Sequence, residues 1–480
     1  MVAALAAALA LSTGCREGAR GPVVVSAIGD SPELLNPNLE PLDPPSELLI
    51  GAVAQGLVRF DAGGQVEPAL AQSWIVSDDG LRYTFRIGRA TWSNGSAVTA
   101  DQVVRRLRAA IGGSSRNPLK PLLLVIDQVE AMTSNVLEIS LKSPRPNFLQ
   151  LLAQPELAIM RNNLGTGPFR AEPQGDGSVL LSPPEQDDEA ADETEADPSR
   201  DIVLRGERAA LAVARFRRGL SDFVTGGTIA ELPLARSAAL RGNPLRFDPV
   251  GGLFGLRFAR NDGIAADPAV RRALAMAIDR AALATALALP ELLPRESLLP
   301  GGLDEVPTPA SPDWAANPLP MRRALATSII GDQAGEDPVT LRVALPPGPG
   351  YRLVFAHLRR DWRAIGVIAE AVGPESEADL RFIDAVAAAN VASWYLRRLS
   401  CATRLVCSPE ADTMLDAARA APPAERQQLL ANADRVLTDA TVFIPLGAPV
   451  RWSLVSPRLI GFQPNPFGRR FVGSLVPPRR

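Results

Sequence analysis

Imidazole is almost missing from this chain. Of 480 residues only His357 is a histidine, cysteine occurs three times, and lysine is confined to Lys120 and Lys142. That count excludes a transition-metal site built from several histidines and nearly excludes a thiolate site. A Ser-His-Asp constellation has one imidazole to draw on, no Gly-x-Ser-x-Gly elbow precedes a helix, and Ser-Lys chemistry has little lysine to use. His357 itself falls on a helical stretch, Arg352 to Ile365, with Leu353 and Asp361 four residues to either side, so it reads as a structural pair with the carboxylate one turn on. No carboxylate pair is marked, and no cofactor or metal is called for. An excess of charge is missing too: 50 Lys and Arg face 53 Asp and Glu, which leaves no electrostatic reason to expect nucleic acid or an anionic membrane surface as partner. The apolar run Met1 to Leu11 is too short to span a bilayer. The absence of a catalytic set is what a binding protein shows.

What the chain has is length and apolar content. At 480 residues it exceeds the size at which one core keeps growing, so two or three lobes are expected. Its 44 prolines are scattered and argue for many ordered loops. Leu70 to Ile111 says most about the whole. Trp74-Ile75-Val76 runs into the turn signal Asp78-Asp79-Gly80, after which Leu81, Tyr83, Phe85 and Ile87 alternate with Arg82, Thr84 and Arg86, the pattern of a half-buried hairpin. Ser93-Asn94-Gly95-Ser96 makes a second turn. Thr99 and Gln102 form a capping box, and Val103, Val104, Leu107 and Ile111 recur at helical spacing.

The order A-L-A-x-S-W-x-x-S-x-D-G-x-x-Y-x-F-x-I, followed by W-S-x-G-x-x-x-T-A-D-x-V, resembles the signature region of the family 5 extracytoplasmic solute-binding proteins, the receptors of peptide, nickel and related ABC importers. Ala69 to Gly80, Tyr83, Phe85, Trp92 to Gly95 and Thr99 to Val103 carry the likeness. Val270 to Arg280, opened by Asp267 as cap and Pro268 at the first helical position, is similar to a second signature of the same family nearly two hundred residues on. Gly165-Thr166-Gly167-Pro168-Phe169 resembles a third landmark, a turn returning the chain to the first lobe; Pro168 removes an N-H that a phosphate cradle would need.

Other elements follow in order. Val23 to Ile28 reads as a buried strand, Leu48 to Val58 as helix-like, and Val58 to Asp61 as the start of the signature sheet. Leu122 to Leu141 is strand-like, closed as a hairpin over Thr133-Ser134-Asn135, and Phe148 to Leu152 is a short helix. Pro183 to Ser199 is crowded with acids from Glu185 to Asp197; it reads as a loop extended by its own repulsion, with a cation-binding or partner-docking arm as the alternative. Ile202 to Leu204, Ala209 to Arg218 and Asp222 to Val224 form a βαβ segment. Leu341 to Leu345, the helix Arg352 to Ile365 ending at Gly366, and Val367 to Val372 make a second strand-helix-strand step. Pro409 to Arg419 and Ala424 to Leu437 pair as helices, and Val442 to Leu446 is a late strand.

The resemblance, which runs from about Val23 to Phe467, implies an α/β fold of the periplasmic-binding-protein type II kind, with two large lobes about a hinge and a smaller accessory lobe. The expected parts are 1–21 as lipoprotein signal and tether, 22–50 with 164–248 and 450–480 as lobe I, 51–163 as the accessory lobe, and 249–449 as lobe II. Ser12-Thr13-Gly14-Cys15 is similar to a bacterial lipoprotein signal, with Ser12 where leucine is usual, and makes Cys15 the lipidation site; a buried N-terminal helix is the alternative. With Cys15 lipidated, Cys401 and Cys407 remain as either a disulfide across a short loop or two buried thiols. The expected function is a solute-binding receptor of an ABC importer. It would be monomeric and extracytoplasmic, held to a bacterial membrane by its lipid, partnered by permease subunits and a small solute or peptide. A receptor or chaperone outside transport, or a secreted hydrolase, is the alternative.

Peptide-binding members hold the ligand amino group with an Asp in an Asp-Tyr-x-Asp-Pro-like segment. The corresponding stretch here, Ala378 to Cys401, lacks it, which puts a peptide ligand in doubt. Within it Asp384 and Asn390 are candidate cleft-lining polar groups, Trp394 and Tyr395 candidate stacking rings, and Arg397 and Arg398 candidate carboxylate receivers; a core aromatic pair and two solvated arginines is the other reading. Asn36, in the turn Leu34-Leu35-Asn36-Pro37, is a further candidate because the family has a similar turn beside its cleft. The signature stretch at 70–111 is expected to identify the family and to act as scaffold, not to touch the ligand.

Overall fold

A computed structural model describes residues 21–161, 164–184, 198–289, 292–334 and 338–476. Cys15 and the acidic run Glu185 to Asp197 lie outside the described residues. Among those described, the largest sheet has seven strands in the order Leu245–Phe247, Trp452–Val455, Phe223–Gly227, Val23–Ile28, Ile202–Glu207, Val179–Ser182 and Arg170–Pro173. Its central strand, Val23–Ile28, pairs in parallel with both neighbours. A parallel strand covered on both faces needs a nearly continuous apolar run, and VVVSAI supplies one. Helix Pro44–Val53 covers one face, burying Leu48, Leu49, Ala52 and Val53 against Val25, Leu204 and Phe223.

A second sheet orders Val367–Val372, Val339–Ala344, Leu380–Val386, Gly252–Phe258 and Phe443–Gly447. Helices Pro268–Ala277, Leu319–Ala334 and Pro349–Arg363 belong to the same unit, where Trp362 is fully buried and donates its indole N-H to the Leu274 carbonyl at 3.0 Å. The chain passes between these two sheets at two neighbouring places, Asp248 to Gly251 and Ala448 to Arg451. They lie side by side, with the Asp248 N-H donating to the Arg451 carbonyl at 3.0 Å.

The third unit is an antiparallel sheet, Ala71–Val76, Arg82–Ile87, Val136–Leu141 and Ile126–Ala131, covered by helix Ala100–Ile111. Tyr83, Phe85 and Ile87 face the core as their alternation predicts. The Gln102 amide oxygen accepts both the Thr99 N-H at 3.1 Å and the Trp92 indole N-H at 2.9 Å, so one side chain caps the helix and pins the buried tryptophan. Gly165 and Gly167 press against the preceding helix end. A Cβ at either would come within 2.0 Å of the Val53 carbonyl or 2.3 Å of the Ala52 carbonyl, so both positions require glycine.

Several element bounds differ from the sequence expectation, each for a local reason. The first helix runs from Pro44 to Val53, not from Leu48 to Val58, because Asp43 accepts the Ser46 N-H and proline occupies the first helical position, while Ala54 is already extended. Val58–Phe60 pairs only with Val66–Pro68 as a separate ribbon and does not start the signature sheet. Leu122 belongs to a helical turn, Lys120–Leu123, opened by Pro121, and the strand begins at Ile126. The second signature is two helices: Pro268–Ala277 stops where Asp279 caps Arg280–Ala286 by accepting the Ala282 N-H at 2.9 Å.

Candidate functional site

A cavity of about 930 Å³ lies where the three units meet. Pro249, Val250, Gly251 and Ala448 come from the two crossings between the large sheets. Ala387, Ala389, Asn390 and Tyr395 follow strand Leu380–Val386. The loop Leu293 to Gly302, Trp74 with Leu149 and Gln150 from the third unit, and Phe467 from the C-terminal segment close the rest. The wall is mixed: most lining side chains are apolar, but the surface it offers is nearly as polar as apolar, with Gln65, Gln150, Arg295, Ser297 and Asn390 as its polar side chains. Gly251 lets the Tyr395 ring approach, since a Cβ there would lie 2.9 Å from the phenol oxygen. Burial pushes the Tyr395 phenol up to about 12, with the nearby Arg295 guanidinium opposing, so it is a neutral donor at any physiological pH.

Hydrogen bonds between units brace the cavity on one side. Gln154 donates to the Ala388 carbonyl at 2.6 Å, Asn147 donates to the Asn390 carbonyl at 3.2 Å, and Gln150 accepts the Asn390 N-H at 3.3 Å. The C-terminal segment ties the units together from behind. Arg469 donates to Gln154 at 2.9 Å and pairs with Glu156 at 2.6 Å and with Glu47, while Arg470 pairs with Asp248. Burial alone would lower Arg469, but the Glu156 and Glu47 carboxylates outweigh it and hold the guanidinium above its usual range.

Of the residues singled out from the sequence, Asn390 and Tyr395 line this cavity. The others are placed elsewhere. Trp394 is 4% exposed and packs edge-on against Tyr395 at 5.0 Å, with the Arg398 guanidinium 4.4 Å over its ring, so both serve the core behind the cavity. Arg397 turns away to Asp416 at 3.2 Å and the Leu415 carbonyl, beside a separate hollow of about 180 Å³. Asp384 is consumed by Arg451 at 2.7 Å and Tyr351 at 3.2 Å. Asn36 is exposed and accepts from the Asn38 N-H and from Arg106, each at 3.2 Å, which ties the first unit to the helix of the third. Cys401 and Cys407 are joined as a disulfide. The expected His357–Asp361 pair is not formed. Asp361, 1% exposed, instead accepts from Arg323 and Arg360, both at 2.8 Å, and from the Asp279 N-H at 2.9 Å, while burial and the Arg360 charge pull His357 down.

Most of the lining escaped the sequence reading, Trp74 and Arg295 among it. Trp74 stands in the signature stretch expected to be scaffold alone, on a strand whose exposed and buried positions do not alternate cleanly. Arg295 lies between Pro290 and Pro320, a stretch that holds none of the family landmarks; its one visible signal was a lone cation amid the prolines and leucines of LPRESLLP.

Solved structures share this architecture. The murein tripeptide binding protein MppA of Escherichia coli superposes with a TM-score of 0.80 at 19% identity, covering 95% of this chain and 99% of that one. OppA of Haemophilus influenzae, solved in complex with the peptide RPPGFSPFR, gives 0.79 at 18% identity over 95% and 99%. The fold is therefore the α/β, type II periplasmic-binding-protein architecture. The profile of the bacterial extracellular solute-binding proteins, family 5 Middle, matches residues 65–396, and the chain belongs to that family. Among curated relatives, the nickel-binding periplasmic protein of Escherichia coli K12 is 35% identical over 124 residues, which are 25% of this chain and 24% of the relative. The chain thus aligns with about a quarter of that relative's length. The relatives are binding proteins, and no described helix is long and apolar enough to cross a membrane.

Proposed function

We propose that this protein is the solute-binding receptor of an ABC importer, which captures a small solute in the 930 Å³ cavity and presents it to membrane permease subunits. The observation that carries this reading is the cavity's position against the two crossings between the large sheets. A rotation about Asp248 to Gly251 and Ala448 to Arg451 would open and close it without disturbing either sheet. Closure expels water from the cavity, and the Gln150, Gln154 and Asn147 bonds to Ala388 and Asn390 hold the closed state. In this reading the units around the seven- and five-stranded sheets are the two lobes, with 51–163 as accessory lobe. A monomeric receptor is tethered outside a membrane by lipid on Cys15, with no catalytic step of its own.

Mass spectrometry of the purified protein, with release of any carried molecule by denaturation, should find one small solute in near-stoichiometric amount. Gly301 lines the cavity and has open space where its Cβ would be, so Gly301→Trp adds an indole at the cavity wall with no clash at the Cβ. That variant should fold with unchanged circular dichroism and carry no solute. Turnover of a generic ester, peptide or glycoside, abolished by one carboxylate substitution, would instead make the protein a hydrolase.

A further inference from the structure

We propose that the solute is an amphipathic organic monoanion without a cationic group, received through its carboxylate by Arg295; this rests on the receptor reading above. Among the described residues lining the cavity, Arg295 alone carries a formal charge. Its Nη2 donates to the Gly252 carbonyl at 2.5 Å, which holds the guanidinium in one orientation, while its Nε is buried with no hydrogen-bond partner. The neighbouring Glu296 does not serve it, being 2.5 Å from Arg322 and 3.9 Å from Arg280. A half-desolvated guanidinium with an unused donor and no counter-ion among the described residues is costly, and a ligand carboxylate offsets that cost through charge-assisted bonds.

The rest of the wall decides the remainder of the solute. Trp74, Leu149, Tyr395 and Phe467 offer rings and aliphatic surface, and no described lining residue is a carboxylate. A peptide ammonium closed into this space would have no counter-charge among the described residues, because Asp384, the acid in the adjoining strand, does not line the cavity and is already neutralised by Arg451. Ala387 and Ala389 stand in the segment where peptide-binding relatives were expected to offer an aspartate. Selection therefore works in both directions: among the described residues there is one cation to attract an acid and no anion to accept an amine.

The test uses four probes on the whole purified protein by isothermal titration calorimetry: 4-phenylbutyrate, 4-phenylbutanol, 4-phenylbutylamine and the dipeptide Leu-Phe. The butyrate should bind tightest and the amine and dipeptide weakest. Arg295→Gln should weaken butyrate binding by about tenfold to a hundredfold, the span of a hydrogen bond to a charged group, and leave the alcohol within about twofold. Arg295→Lys, which keeps the charge, should retain more butyrate affinity than Arg295→Gln. Tighter binding of the amine or dipeptide, or equal loss of acid and alcohol in Arg295→Gln, overturns the monoanion assignment. So does a co-purifying cation or zwitterion, and each of these results leaves the receptor reading standing. If no solute of any class binds and none co-purifies, the receptor reading falls and this assignment with it.

Discussion

Arg451 Nη1 lies 2.7 Å from Asp384 Oδ1 at the point where the chain crosses from the five-stranded to the seven-stranded sheet. The other Asp384 oxygen accepts the Tyr351 hydroxyl at 3.2 Å, and burial, reinforced by that carboxylate, drives the Tyr351 phenol far above its ordinary range. Asp384 therefore fixes the second crossing to the sheet beside it. Asp384→Ala strands Arg451, whose side chain is 20% exposed, and should cost about 2–4 kcal/mol of stability in urea unfolding. Solute affinity of the folded variant should stay within about threefold of the parent, since a buried pair outside the cavity makes no contact with the ligand. A variant of full stability that no longer binds would return Asp384 to the ligand site.

Trp394 gives the contrast between core and cavity. It is 4% exposed, with Tyr395 on its edge and Arg398 over its face. Trp394→Ala should remove about 3–5 kcal/mol of stability, as large-to-small core substitutions do, in the ligand-free protein. Thermal unfolding without ligand checks this; an unchanged midpoint would place the ring in the solute site instead.

Cys401 and Cys407 close a loop of six residues' separation, and the Cys401 N-H donates to Asp412 at 2.9 Å. Constraining a loop of that length in the unfolded chain is worth about 2 kcal/mol. Replacing both cysteines by serine should lower the unfolding free energy by that amount. Reductant should lower the parent's stability to match and leave the double variant unaffected. Thiol titration of the denatured, unreduced protein checks the pairing directly.

Asp434 introduces a pH dependence. It is fully buried on helix Pro423–Asp439; burial pushes its carboxyl up to about 6, and the bond from the Ala310 N-H at 2.7 Å opposes only part of that. A carboxyl raised above its ordinary 3.8 binds its proton more tightly in the folded state. Its contribution to stability is then complete below about pH 4 and is lost as pH rises through 6. The loss is about 3 kcal/mol for a shift of about two units. Asp434→Asn can keep the Ala310 bond through its amide oxygen. It should be more stable than the parent at pH 7.5, with the gain vanishing near pH 4, as measured by urea unfolding at the two pH values. A gain that is the same at both would show that this carboxyl is not the group responsible.

The features legible in the order of residues are local. The alternation at Tyr83, Phe85 and Ile87, the Thr99–Gln102 box and the Asp267-Pro268 start are each written within a few residues, because period, cap and fixed φ act between near neighbours. The two signatures and the glycine turn pressed on Val53 were recognisable for the same reason, and they were enough to indicate the family. Tertiary structure alone decided the site. The cavity gathers Gln65, Trp74, Gln150, Arg295, Tyr395 and Phe467 from four hundred residues of chain, and no spacing records which side chains such distant segments bring together. It also decided which polar residues are already satisfied: Asp384 meets Arg451 and Trp394 meets Arg398, while Arg295, among the described residues, faces the cavity with its charge unmatched. Whether a charged side chain braces the fold or awaits a ligand depends on its partners in space, and those are set only when the chain has closed on itself.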